Sequence, residues 1–267
     1  MNHISDISIA GKLYKVISND LYIEGMQGIF NGDELDLFDS LIDKDSVVFD
    51  IGANIGLTSI FFAERCSKVY SFEPVKPTFA FLKQNISMYK LANVQIQNFG
   101  FGRKKKLSII AMPKNDSASG FISEAIVPHS EYLSEKVELS TLDSYTSLQK
   151  IEKVDFLKLD VEGYELEILL GGKKLLKRQR PVVVMELNHF CLNALQRITV
   201  PDFFDSLREI FPLLFAVDQH KYLDLHSTND SYHVTYEHIV HGKFKSIVGC
   251  FDEASLDRFW EHFIYGV

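Results

Sequence analysis

Cysteine is scarce in this chain: Cys66, Cys191 and Cys250 are the three thiols among 267 residues. They are odd in number and far apart, and no C-x-x-C pair occurs. That excludes a zinc ribbon or a redox dithiol and points to a reducing compartment rather than secretion. A long apolar run is also missing. The strongest one, at 210–217, falls far short of the ~18–20 residues that a spanning helix needs. The opening Met1-Asn2-His3-Ile4-Ser5-Asp6 lacks the basic segment and apolar core of a signal peptide. The expectation is a cytoplasmic protein with no membrane span. Positive charge is in deficit: 28 basic against 36 acidic residues give −8. This disfavours a general binder of nucleic acid or of anionic membranes, while leaving room for a local basic groove. Internal repeats and low-complexity linkers are absent.

What remains is ordinary globular composition, 46% apolar and 24% charged, at a length that suits one large domain or two small ones. Residues 1–45 form a lead-in of short strands and a helix. Ile7-Ser8-Ile9 and Leu13-Tyr14-Lys15-Val16 alternate around the turn at Ala10-Gly11, and Leu35, Leu37, Phe38, Leu41 and Ile42 follow at helical spacing. The main domain is 46–267. From Val47 the pattern becomes strand, turn, helix, repeated. Strands fall at 47–51, 69–72, 94–97, 154–159 and 181–185, and helices at 57–64, 77–89 and 165–176. Pro77 suits a first helical turn, and Lys173, Lys174 and Lys177 suit a helix C-terminus. Such alternation predicts a doubly wound α/β fold, a mostly parallel sheet with helices on both faces. More than fifty residues separate the third and fourth strands. They hold a basic run at 103–106, a strand at 107–111, a polar loop at 113–120 and a helix at 142–148. A stretch of this length inside a domain serves as a lid or substrate-binding loop.

The first strand runs into Asp50-Ile51-Gly52-Ala53-Asn54-Ile55-Gly56. Two glycines allow a tight turn and close approach of a ligand at the start of the next helix. Glu73 ends the second strand, twenty-one residues after Gly52, where an acid can accept both hydroxyl protons of a ribose. The glycines are four apart, which departs from the dinucleotide pattern and counts against an NAD-type oxidoreductase. Asp50 at the strand end can accept from a ligand's amine. A ribose, a sulfonium and an amino-acid tail together describe S-adenosylmethionine. Asp50, Gly52, Asn54, Gly56 and Glu73 are its candidate ligands.

The block 48–56, then Phe72-Glu73-Pro74, then Leu157-Lys158-Leu159-Asp160-Val161-Glu162-Gly163-Tyr164-Glu165, then 181–186, resembles the FkbM family of S-adenosylmethionine-dependent methyltransferases over roughly residues 45–220. The resemblance implies a Rossmann-like class I methyltransferase with a seven-stranded sheet, whose last two strands form an antiparallel hairpin at one edge. It also implies O-methylation of a hydroxyl on a sugar, nucleotide sugar, glycan or related natural product. In such a sheet the third strand end lies beside the adenine, which makes Asn98 a candidate contact; a turn-forming role is its other reading.

Asp160 and Glu162 follow an apolar strand that aims them at the sheet's carboxyl edge. A sugar hydroxyl is a poor acid and needs a general base or a metal ion. Asp160, Glu162, Glu186 and His189 are the candidate catalytic groups. Asp160, Glu186 and His189 also make a candidate set for Mg, Mn or Fe(II), with Asn188 nearby. The plainer readings are a helix cap for Asp160 and favourable helix-terminal charge for Glu162 and Glu165. His220, His226, His233, His238 and His241 read as surface histidines. The run 103–106 reads as a solvated hairpin turn, or as a grip on an acceptor's phosphate. The partner expected is a small hydroxylated acceptor rather than a nucleic acid. Two rivals remain: a non-catalytic S-adenosylmethionine-binding module and an RNA methyltransferase.

Overall fold

Alternating apolar side chains pair β1 (His3–Ile9) with β2 (Lys12–Ser18) in an antiparallel hairpin. Its turn is Ala10-Gly11, both at positive φ. A helical turn, α1 (Tyr22–Gly25), leads to β3 (Ile29–Phe30), which lies parallel to β1, and then to α2 (Gly32–Leu41). The computed structural model describes residues 3–19, 22–30, 32–114, 120–122 and 132–266. Most of the polar loop expected at 113–120 therefore lies outside the described residues.

The central sheet starts with β4 (Val47–Ile51), α3 (Leu57–Ala63), β5 (Lys68–Phe72), α4 (Lys76–Met88) and β6 (Val94–Gln97). Next come β7 (Gly100–Phe101), β8 (Lys106–Pro113), β9 (Phe121–Ile122) and β10 (Tyr132–Ser140), which build a separate four-stranded sheet. The chain re-enters the core through α5 (Leu142–Leu148), β11 (Phe156–Leu159), α6 (Glu165–Leu170), α7 (Lys173–Gln179) and β12 (Val182–Glu186). A short α8 (His189–Cys191), a π-helical turn and α9 (Val200–Arg208) follow. The last part contains β13 (Leu213–Asp218), β14 (Lys221–Asp224), α10 (Thr228–His241), β15 (Ser246–Cys250), α11 (Asp257–His262) and β16 (Ile264–Tyr265).

The strand order is β16-β14-β13-β15-β12-β11-β4-β5-β6. From β12 to β6 every pair is parallel, as the strand–helix alternation predicts. The order reverses between β4 and β11, and ligands bind such sheets at that crevice. Two expectations are corrected. The sheet has nine strands among the described residues, not seven. The sequential hairpin is β13–β14, while β15 returns after α10 and inserts antiparallel between β12 and β13. The centre of the slot it fills is apolar, with Val183 and Val248 both fully buried.

Residue parity along the strands divides the interior. On β4 and β11, Phe49 and Leu157 face one helical layer, while Val48 and Phe156 face the other. Full burial of each such side chain contributes roughly 1.5–3 kcal/mol. The helix expected over 165–176 is two helices, broken at Gly171-Gly172. A Cβ at Gly171 would lie 2.1 Å from the Gly102 carbonyl oxygen, so the four-stranded sheet approaches too closely for any other residue. Lys173 and Lys174 consequently begin α7 rather than end α6.

Candidate active site

A cavity of about 250 Å³ opens at the crevice between β4 and β11. Its floor is the glycine turn. Gly52 has φ 80°, Asn54 φ 47° and Gly56 φ 98°, left-handed conformations that glycine and asparagine tolerate best. The amides of Gly52 and Ala53 both donate to the Phe72 carbonyl, at 3.1 and 3.0 Å, which locks the turn onto the end of β5. Glu73 follows there, 7% exposed. Its Oε2 accepts from the Asn54 amide at 3.1 Å and its Oε1 from the Val75 amide at 2.9 Å. Both oxygens keep acceptor capacity toward the cavity. Burial pushes the Glu73 carboxyl up to about 7.

Asp50 is placed differently from the sequence expectation. It is fully buried beneath the turn and does not line the cavity. Its Oδ2 accepts from Thr58 Oγ1 at 2.8 Å and from Ser59 Oγ at 2.6 Å, on the first turn of α3. Its Oδ1 lies 3.5 Å from Lys158 Nζ. Because Asp50 and Lys158 are register partners on β4 and β11, the sheet itself brings them together. Lys158, 3% exposed, donates to the Gly52 carbonyl at 2.9 Å and reaches Asp160 Oδ2 at 3.1 Å. Burial opposes its charge, but Asp160 and Asp50 outweigh that and hold the ammonium above its ordinary range. Asp50 therefore anchors the site from below instead of meeting a ligand's amine. Asn98 is also turned away. Its Nδ2 donates to the carbonyls of Glu73 and Pro74 at 2.9 and 3.1 Å, fixing the end of β5 without lining the cavity.

The carboxylates expected after β11 and β12 do meet at the cavity: Asp160, Glu162 and Glu186 all line it. Asp160 is not the cap of α6, whose N-cap is Tyr164. The groups after β11 are instead gathered by Glu165, fully buried, whose Oε1 accepts from the amides of Val161 and Gly163 at 3.1 and 3.3 Å. Burial raises the Glu165 carboxyl to about 8. Glu162, at φ 55°, receives hydrogen bonds from Asn188 Nδ2 at 2.7 Å and Cys191 Sγ at 3.3 Å. Glu186 Oε2 is buried without a hydrogen-bond partner. Burial, then Asp160, Glu162 and Glu165, holds its carboxyl well above the usual range.

His189 does not join them. Its ring packs edge-on against His238 with centroids 5.0 Å apart, and it does not line the cavity. Among the described residues no three His, Cys, Asp or Glu side chains converge as a metal site requires. The trio Asp160, Glu186 and His189 is thus not assembled, because β12 ends at Glu186 and α8 carries His189 off toward α10. His238 itself is buried, contrary to a surface reading, and its Nδ1 lies 2.7 Å from the Lys243 carbonyl.

Several contributors were missed in the sequence. Phe30 and Glu34 of the lead-in reach the cavity, and nothing in their local pattern signals it. Buried Asn85 secures that arrangement by bonding Ile17 on β2 and donating to the Ile55 carbonyl at 2.9 Å. Lys158 carried a signal, since a lone lysine in an apolar strand needs a buried partner. The four-stranded sheet adds Ile110, Ile122 and Leu139 to the wall.

A family model, the methyltransferase FkbM domain, matches residues 50–222. The chain belongs to the FkbM family of methyltransferases. Similar proteins include "Methyltransferase 1" of Beauveria bassiana, 26% identical in an alignment of 145 residues that covers 48% of this chain and 58% of that protein. The "2-O-methyltransferase NoeI" of Sinorhizobium fredii is 28% identical over 160 residues, 53% of this chain and 63% of that one. The chain thus spans less than two thirds of these relatives' own length. The solved FkbM methyltransferase of Methylobacillus flagellatus aligns with 79% of this chain and 47% of its own, with TM-score 0.49 at 15% identity. Among the described residues no helix is long and apolar enough to cross a membrane.

Proposed function

We propose that this FkbM protein transfers a methyl group from S-adenosylmethionine to a hydroxyl of a small sugar-type acceptor. The observation that carries the reading is a buried, unpartnered carboxylate oxygen, Glu186 Oε2, on the same cavity as the glycine turn and Glu73. The cradle suits the donor: Glu73, fixed by two amides beside the glycine turn, retains acceptor sites for ribose hydroxyls. S-adenosylmethionine supplies an electrophilic methyl group on a good leaving group, so the chain must align the partners and take the acceptor's proton.

Glu186 takes that proton. Burial and the neighbouring acids raise its proton affinity, which makes the ionised carboxylate a stronger proton acceptor than an ordinary one. Glu162, held by Asn188 and Cys191, and Asp160, held by Lys158, orient the acceptor's remaining hydroxyls. Glu34 adds a further acid to the lining. So many acids repel a phosphate, and an uncharged hydroxylated ring fits this end of the cavity better than a sugar phosphate.

The test is transfer of label from methyl-labelled S-adenosylmethionine to a panel of sugars, glycosides and nucleotide sugars, with products assigned by mass spectrometry. Methylation of a carbon or nitrogen in the productive acceptor overturns the O-methyl reading. Binding of the donor with no transfer to any member favours a non-catalytic module.

A further inference from the structure

Two basic runs that lie seventy residues apart in the chain become one surface. The turn at 103–106 packs against the junction of α6 and α7, where a Cβ on Gly171 would sit 2.1 Å from the Gly102 carbonyl and 3.3 Å from Arg103 Cα. Arg103 then shares an open groove with Lys173, Lys177 and Arg180. Nine basic residues occupy the twelve positions of 103–106 and 173–180, in a chain whose net charge is −8. Part of this charge is engaged internally, and Lys106 lies over the Tyr164 ring, 6.0 Å from its centroid. Arg103 pairs with Glu167 at 2.7 Å, and Arg180 lies 3.8 Å from Asp252. Among the described residues no ion pair engages Lys104, Lys105, Lys173, Lys174, Lys177 or Arg178, all of them exposed.

The basic turn runs directly into β8, where Leu107 is 72% and Ile109 48% exposed. Alternation puts both on the outer face of the four-stranded sheet, while Ile110 turns inward to the cavity. Exposed aliphatic side chains beside flexible lysines suit an anionic lipid surface, which attracts the charges and takes up the apolar tips. Single-stranded nucleic acid calls instead for exposed aromatic platforms among the cations. The groove's one aromatic, Phe251, is half-buried. The patch also resolves a conflict in the composition, because a net-acidic chain concentrates its positive charge where it can act locally.

We infer that this face docks on an anionic membrane surface through the turn at 103–106, α7 and the outer side of β8. The inner side of the same sheet walls the cavity, so docking holds the cavity close to lipid headgroups. The inference does not depend on the methyl-transfer reading.

The test is co-flotation of the full chain with phosphatidylcholine vesicles, with and without phosphatidylglycerol, at low and high salt. Binding is expected only with phosphatidylglycerol and is weakened by salt. Lys104→Glu/Lys105→Glu and Lys173→Glu/Lys177→Glu should each lower partitioning by about tenfold or more, since each lysine near such a surface is worth a several-fold effect. Lys83→Glu/Lys90→Glu, with the same change in net charge on α4 and the turn that follows it, should leave it unaltered. Leu107→Asn should weaken binding at low and high salt alike. Circular dichroism and melting of each variant establish that it is folded. Failure of the wild type to float with phosphatidylglycerol overturns the inference. So does equal partitioning of the wild type and both patch variants, or a patch-dependent preference for RNA over vesicles at the same salt.

Discussion

Gly52 and Asp160 belong to two separate motifs, yet a Cβ on Gly52 would lie 1.9 Å from the Asp160 carbonyl oxygen. The two strand ends are in backbone contact, and the Asp160 amide completes the junction by donating to the Ile51 carbonyl at 3.1 Å. The turn and the acidic segment therefore form one rigid piece.

Gly52→Ala should accordingly cost about 3–5 kcal/mol, because it combines a left-handed φ with a backbone clash. Gly11→Ala has the same φ of 80° but open space around it, and should cost only about 1–2 kcal/mol. Urea unfolding of both variants measures the difference. Equal losses would mean that the Asp160 contact is not rigid.

Lys158→Met should destabilise by about 3–5 kcal/mol, since it leaves Asp50 buried without its counter-charge. Adding Asp50→Asn removes the stranded charge and should recover part of the loss. The double-mutant cycle reads the coupling directly, and strict additivity would contradict the pairing.

Glu165 governs part of the pH dependence of stability. Burial raises its folded value from 4.5 to about 8. The folded chain thus binds this proton more tightly than the unfolded chain. The resulting stabilisation is full below 4.5 and is lost as the pH rises toward 8, on the order of a few kcal/mol. Glu165→Gln should flatten that slope in urea titrations between these limits. A slope identical to the wild type would remove Glu165 as its source.

Glu73→Gln should weaken S-adenosylhomocysteine binding by about 1.5–3 kcal/mol if the carboxylate holds the ribose. In the wild type, affinity should improve as the pH rises through about 7, where Glu73 ionises. The variant should lose that dependence, and calorimetry across the range checks both statements.

Glu186→Gln keeps the side chain's shape but removes the base. Turnover should fall by roughly 10²–10⁴-fold with donor affinity unchanged. An unaltered kcat would transfer the proton-accepting role to Glu162 or Asp160.

The sequence by itself determined the parallel core. The apolar runs of β4, β11 and β12, the alternation in β6, the glycine turn and the acids at the ends of β5, β11 and β12 are local patterns, and period and turn chemistry write them directly into the chain. The same locality explains the errors. Asp50 looked like a ligand group because its position at a strand end is visible, but the lysine opposite it is not. The register of β4 against β11 decides that pairing, and it spans 108 positions. His189 lies three residues after Glu186, yet chain direction after β12, not spacing, removes it from the site. The break at Gly171 answers to Gly102, and the lead-in's Glu34 reaches the cavity because Asn85 bonds β2 to the glycine turn. Only the tertiary structure could decide these, because each depends on contacts between segments distant in sequence. Local sequence sets which strands and turns form, while long-range packing sets which polar groups are consumed inside and which are left facing the cavity.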